Sequence, residues 1–159
     1  MGRFSPFILR VDKYLLQNKD ILVTEGGDID KLGRGTVWYD EISPCLHQNH
    51  VFAIRVSKKL NPEFVAFFLA TNIARKYFID SATKTTNLAS TNKTHLGNIY
   101  LPIPNIKEQI TIVEKIKKEF ITLDLAITSQ HAQIKNLKEY KATLINSAVT
   151  GKIKVPNIS

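Results

Sequence analysis

Three side chains able to bind a metal lie close together in this sequence: Cys45, His47 and His50. A structural zinc site takes a full set of four ligands, usually in two separated pairs. No second Cys/His cluster follows, so ordinary loop and strand residues are the better reading. Asp28 and Asp30 imitate the opening of a calcium loop, but the closing glutamate is absent. The glycine-punctuated stretch from Glu25 to Gly35 lacks both the Gly-Lys-Ser/Thr of a phosphate-cradling loop and the spacing of a dinucleotide fingerprint. Asn61-Pro62-Glu63-Phe64 approaches the Asn-Pro-Pro-Phe/Tyr motif that positions an amino group for methyl transfer, but its second proline is missing. A helix start accounts for it better: a capping Asn, Pro at the first helical position and an acid in the first turn. No nucleophile is accompanied by the rest of a triad. The sequence offers no catalytic constellation, and neither cofactor nor metal is expected.

What the residue types support is recognition. Residues 84–94 mix lysine with amides and hydroxyls and hold few large apolar side chains. Lys84 and Lys93 suit phosphates, Asn87 and Asn92 suit an adenine edge, and Thr86 and Ser90 can reach either. Arg34 and His47 are further candidates for DNA contact. The competing reading is a polar loop that only closes the preceding helix, and composition does not choose between the two.

These residues need elements to position them. The apolar runs predict strands over Asp20 to Thr24, Thr36 to Tyr39 and His50 to Val56. Val11 to Leu16 reads as a short helix or strand, and Ile42 to Leu46 as a turn around Pro44. A helix is expected over 61–80, buried through Phe64, Val65, Phe67, Phe68, Leu69, Ile73, Tyr77 and Phe78. Residues 81–94 are expected to form an exposed loop. Asn98 to Pro104 is expected as a last strand, closed by prolines.

The last third carries the strongest periodicity. With Val113 as the first a position, the a series is Val113, Phe120, Ile127, Ile134, Lys141 and Ala148. The d series is Ile116, Leu123, Gln130, Leu137 and Leu144. A seam repeating every 3.5 residues is the pattern of a helix that pairs with another. Asn105, with Glu108 three residues on, supplies a start, and Gly151 a stop. A continuous helix between the Asn105 cap and the Gly151 stop would be ~67 Å long, too long for the core of a small globule. The alternatives are an amphipathic helix folded back on its own domain, residues 1–105, and a break near 122–124, since Thr122 and Asp124 favour caps. The expected interface residues are Val113, Ile116, Phe120, Leu123, Ile127, Gln130, Ile134, Leu137 and Leu144.

Charge adds direction. The 159 residues carry a net charge of +8. Residues 1–52 hold six Lys/Arg against seven Asp/Glu, 53–105 seven against two, and 106–159 nine against five. An excess concentrated in the second half favours an anionic partner, nucleic acid above all, over a merely solvated surface. No apolar run is long enough for a membrane span, and no membrane partner is expected. A single cysteine suits a reducing, cytoplasmic setting.

Certain residues resemble a known family. Glu25-Gly26-Gly27-Asp28, Gly33-Arg34-Gly35 and His47-Gln48-Asn49-His50-Val51 are similar to the target-recognition domains of type I restriction-modification specificity subunits. So are Asn92-Lys93-Thr94, Leu101-Pro102-Ile103-Pro104 and Glu108-Gln109, and Ala148 to Ile153 resembles the close of the family's conserved helix. The resemblance implies a non-catalytic subunit that reads double-stranded DNA. It implies partners too: methylation subunits, which bind S-adenosylmethionine, and restriction subunits. The helices of that family set the distance between two half-sites. A full subunit carries two recognition domains and two helical regions, whereas this sequence shows one of each and a shorter amino end.

The expected fold class is therefore α+β: a small mixed sheet with a buried helix, then a long coiled-coil helix. The expected domains are a recognition domain over 1–104, incomplete at its amino end, a spacer and dimerisation helix over 105–151, and a tail over 152–159. The expected function is half-site reading, with a homodimer formed through the helix. The alternatives are a helix that docks on a methylation subunit, and a scaffold that docks other subunits without reading DNA.

Overall fold

Ile21 and Val23, both fully buried, lie two residues apart and so point to the same face of an extended chain. They anchor the first of two compact units, Met1–Glu114 and Lys115–Ser159. The computed structural model describes residues 2–3, 8–10, 14–85 and 88–153, with only the backbone of 8–10. Strands are β1 (Gly2–Arg3), β2 (Ile8–Arg10), β3 (Ile21–Thr24), β4 (Gly26–Gly27), β5 (Gly35–Val37), β6 (Val51–Val56), β7 (Thr83–Lys84), β8 (Ala89–Ser90) and β9 (Tyr100–Leu101). Helices are α1 (Pro62–Leu69), α2 (Asn72–Ser81), α3 (Lys93–Asn98) and α4 (Ile106–Val149).

The main sheet has the order β2-β6-β3-β5, a second has β4-β8-β7, and β1 pairs with β9. Every one of these pairings is antiparallel. The class is α+β as expected, but the expected mixed sheet is corrected to antiparallel sheets. The physical reason is that, among the described residues, no helical crossover joins two neighbouring strands in parallel. Ile21 and Val23 of β3 pair opposite Ile54 and Phe52 of β6, which are also buried. Just ahead of β3, the buried Asp20 takes both arms of Arg55, Nε at 2.8 Å and Nη2 at 2.7 Å. A two-bond guanidinium–carboxylate pair of this kind fixes orientation as well as charge.

Asn61 caps α1 as expected, its Oδ1 accepting from Glu63 N at 2.8 Å and Phe64 N at 3.1 Å. The helix buries Phe64, Val65, Phe68 and Leu69. Gly35 admits it to the sheet: a Cβ there would lie 2.9 Å from a Leu69 methyl carbon.

Several expected spans are corrected. The helix over 61–80 is two helices, because Thr71 caps a new one, its Oγ1 accepting from Ala74 N at 3.3 Å. Ala74 and Phe78 become the buried face of α2, and Ile73 is exposed rather than buried. The strand over 36–39 is shorter and begins at Gly35. The loop over 81–94 contains a β-hairpin and the start of α3, and the strand over 98–104 is confined to β9. Of the segment 11–16, residues 11–13 lie outside the described residues, while Leu15 makes a single bridge to Leu46.

α4 begins as expected, with Glu108 N donating to Asn105 Oδ1 at 3.0 Å. It continues through 122–124 without a break. The Thr122 hydroxyl, which could have competed with the helix, donates to Lys118 O at 3.2 Å. At the far end Lys152 N reaches Ser147 O at 2.8 Å, and Gly151 N reaches Ala148 O at 3.2 Å. With Gly151 at φ 72°, this is a Schellman stop. Among the described residues no helix is long and apolar enough to cross a membrane.

Candidate nucleic-acid interface

The short strand β4 arises where two glycines leave no side chain above the backbone. Gly26 pairs with Ser90 and Gly27 with Ala89, so the hairpin β7–β8 is laid directly on the glycine loop. Thr91 N donates to Glu25 O at 2.8 Å and extends the seam. Ala89 and Thr91 face inward and are buried, while Lys84 and Ser90 face out.

Hollows open beside this hairpin. One of about 430 Å³ is lined by Lys84, Thr85, Leu88, Ala89, Ile29, Asp28 and Asp30. A second of about 430 Å³, more apolar, is lined by Gly26, Gly27, His50, Thr83, Leu88 and Ser90 among others. A third of about 520 Å³ holds His47 and Lys93 together with Tyr14, Glu25 and Asn49. In the first, Lys31 donates to Asp28 at 2.6 Å, holding its carboxyl below the usual carboxylate range and raising the lysine in turn.

The sequence candidates are thus divided among several places. Lys84 and Ser90 stand on the hairpin. Lys93 and His47 share the third hollow, where His47 packs against the Tyr14 ring at 5.4 Å between centroids. Its Nδ1 lies 3.0 Å from Gln48 O, and its Nε2 is buried with no partner. Asn92 sits between them but is committed elsewhere, since its Oδ1 caps α3 by accepting from His95 N at 2.8 Å. That bond removes the acceptor needed for two-bond reading of adenine. Arg34 is not with this group; it faces Asp30 at 3.8 Å and lines a smaller hollow with Asn72 and Arg75. Thr86 and Asn87 lie outside the described residues.

Sequence reasoning missed Tyr14, Asn49, His50 and Thr85 as lining residues. Asn49 and His50 stood inside a stretch already noted for its resemblance, which was the available signal. Tyr14 gave none: it reaches the third hollow from a left-handed backbone position, φ 67°. Among the described residues no group of three His, Cys, Asp or Glu could hold a metal. The hollows thus gather lysines, a histidine, amides and hydroxyls beside the carboxylates of Glu25, Asp28 and Asp30.

The helix residues separate as well. Val113, with 3% of its surface exposed, belongs to the core of the first unit and is corrected out of the free seam. Ile116 is half-buried. Phe120, Leu123, Ile127, Gln130, Ile134, Leu137 and Leu144 are exposed.

Comparison with known proteins bears on the family and the fold. A family profile described as type I restriction modification DNA specificity domain matches residues 6–142. A solved structure, from work on complex assembly and conformational transition of the type I R-M system, is similar with a TM-score of 0.60 at 20% identity. The match covers 80% of this chain but only 30% of that one. At that identity the likeness shows the fold alone. Comparison with curated proteins gives no match.

Proposed function

The chain belongs to the type I restriction-modification DNA specificity domain family, and from that premise we propose that it reads one half-site of a double-stranded DNA target. The observation that carries this reading is the hairpin β7–β8 laid across the glycine loop, with Lys84 and Ser90 outward and His47 with Lys93 in a neighbouring hollow. Lysines hold the phosphates; Asn87, Thr86, Ser90 and the His47 hollow meet base edges. Arg34 lies apart, on the hollow shared with Arg75. The chain performs no catalysis itself: residues 1–104 bind DNA, and residues 105–151 act as spacer and pairing helix. Methylation subunits supply S-adenosylmethionine chemistry and restriction subunits join them, all in the cytoplasm.

The exposed seam supports pairing with a second copy. Each apolar side chain on it gains ~1.5–3 kcal/mol on full burial, so a lone helix in water is disfavoured. A symmetric pair presents two equivalent reading faces, and the target is then an inverted repeat with a fixed spacer.

Selection from a random DNA library, followed by gel-shift titration at two salt concentrations, tests the reading. Enrichment of one motif, with binding that weakens steeply in salt, is expected. Equal affinity for every sequence, or no binding at low salt, would instead leave a docking scaffold.

A further inference from the structure

We propose that the apolar hollow beside the hairpin β7–β8, with Leu88 as its wall and Gly26 as its floor, receives the C5 methyl group of a thymine in the major groove. This inference rests on the half-site reading above and names one base edge that the hairpin reads.

The floor follows from strand pairing. Ser90 of β8 has Gly26 of β4 opposite it on one side and Thr83 of β7 on the other. Directly opposite residues of a sheet share a face, so Gly26, Ser90 and Thr83 form one row across the three strands. That row has no side chain at Gly26 and short ones at Ser90 and Thr83. A Cβ added at Gly26 would stand 3.8 Å from Ser90 Cβ and 3.5 Å from Ala89 O. Both are ordinary contacts, and the φ of Gly26 is not left-handed. Neither crowding nor backbone conformation therefore demands glycine at this position. Its effect is to keep the floor low and open.

The wall is held by the turn of the hairpin. Leu88 O accepts from Thr85 N at 2.8 Å and from Thr85 Oγ1 at 3.1 Å, which ties the backbone of Leu88 to the opposite strand. Leu88 lines both the hollow that holds Lys84 and the more apolar one that holds Gly26 and Ser90. It is 60% exposed. A lone exposed leucine needs no explanation on most surfaces. Here it rises from a row of short side chains, beside a lysine suited to phosphate.

The occupant follows from chemistry. Lys84 and the positive excess of residues 53–105 favour an anionic polymer. In its major groove a DNA duplex offers one small apolar projection, the thymine methyl, next to the O4 acceptor. The methyl meets Leu88 over the Gly26 floor, and the Ser90 hydroxyl donates toward O4. An amino or carbonyl group set in the same place would lose water against the leucine and gain no partner there.

The test uses the full chain and the duplex target enriched in the selection above. Replacing each thymine of the half-site in turn by uracil removes one methyl and nothing else. At one position uracil is expected to weaken binding about fourfold, the worth of one buried methyl-sized group. Leu88→Ala removes the wall and Gly26→Ala fills the floor, so in both variants thymine and uracil at that position are expected to bind alike. Neither change removes a phosphate contact, and the salt slope of both variants should match that of the parent. A wedge role, with Leu88 inserted between base steps, predicts instead that Leu88→Ala weakens binding to thymine and uracil targets by the same factor. That outcome, a target that tolerates uracil at every thymine or contains none, or a uracil penalty that survives in either variant would overturn the methyl slot and leave half-site reading standing. Equal affinity of the unaltered chain for every sequence would overturn both.

Discussion

Gln109 and Asn61 are joined through the first turn of α4: Oε1 of Gln109 accepts the backbone N–H of Asn61 at 2.8 Å. The amide nitrogen of the same side chain donates to Lys59 O at 3.0 Å and to Pro104 O at 2.8 Å. Gln109 is fully buried, so a single residue ties the root of α4 to the turn that caps α1. Gln109→Leu would leave a buried N–H and two carbonyls without partners. A loss of about 2–4 kcal/mol is expected, measured by urea unfolding followed by circular dichroism. Gln109→Glu should be no milder, since it sets a carboxylate against two carbonyl oxygens. A loss below about 0.5 kcal/mol would mean that water replaces the clamp.

Gly33 and Gly27 separate two reasons for glycine. Gly33 has φ 72°, and a Cβ there would lie 2.1 Å from the buried ring of Phe78. Gly27 has φ 127° with nothing within 4 Å of the added carbon. Gly33→Ala therefore combines backbone strain with overpacking and is expected to cost about 3 kcal/mol or more. Gly27→Ala meets backbone strain alone, on the order of 1–2 kcal/mol. The two melting temperatures, compared side by side, check the ordering, and equal shifts would contradict it.

Legibility in the sequence followed the range of the interactions involved. The core strands and α1 could be read because alternation, β-branching and an Asn-Pro cap are local signals. So could both ends of α4, where Asn105 and Gly151 act within one turn. The division at Thr71 was hidden by a run of apolar residues that a single helix would also satisfy. The hairpin β7–β8 was missed because two-residue strands carry no periodicity; the pairing partner is a pair of glycines some sixty residues earlier in the chain. The same holds for the site. Lys84 and Lys93 stand out by charge, whereas Asn92 resembles a base-reading residue and is held as a helix cap. Val113 fits the heptads, yet the core of its own unit covers it.

Tyr39 donates its hydroxyl to the Glu63 carboxylate. Burial first, then that bond and the nearby charges of Glu63 and Glu41, push the phenol up to about 12. A group whose folded value lies above its ordinary value of 10.0 stabilises the fold fully below that pH. The contribution is lost as pH rises toward 12. Ultraviolet titration of the native chain minus that of Tyr39→Phe should isolate a tyrosinate appearing late, in that alkaline window. The variant should also lose less stability than the parent between pH 10 and 12. A difference spectrum centred near the ordinary phenol value would show that solvent screens the pair.

Changes at Lys84 and Lys93 test which surface meets DNA. Lys84 stands on the outer face of β7 and Lys93 opens α3, each beside a different hollow of the same hairpin region. If both neutralise phosphates, each change to Ala should weaken binding to all sequences alike and reduce the slope of log affinity against log salt by about 0.9. Asn87→Ala should instead leave the slope alone and relax the preferred sequence, by about 1–3 kcal/mol at one base pair. Asn92→Ala should behave differently from all of these. It removes the cap of α3 and should lower stability by about 1 kcal/mol with no change in salt slope. Arg34→Ala provides the spatial control, because Arg34 opens on the hollow shared with Arg75. A flattened slope in Arg34→Ala with unchanged slopes in both lysine variants would move the interface to that side of the domain and take the hairpin out of it.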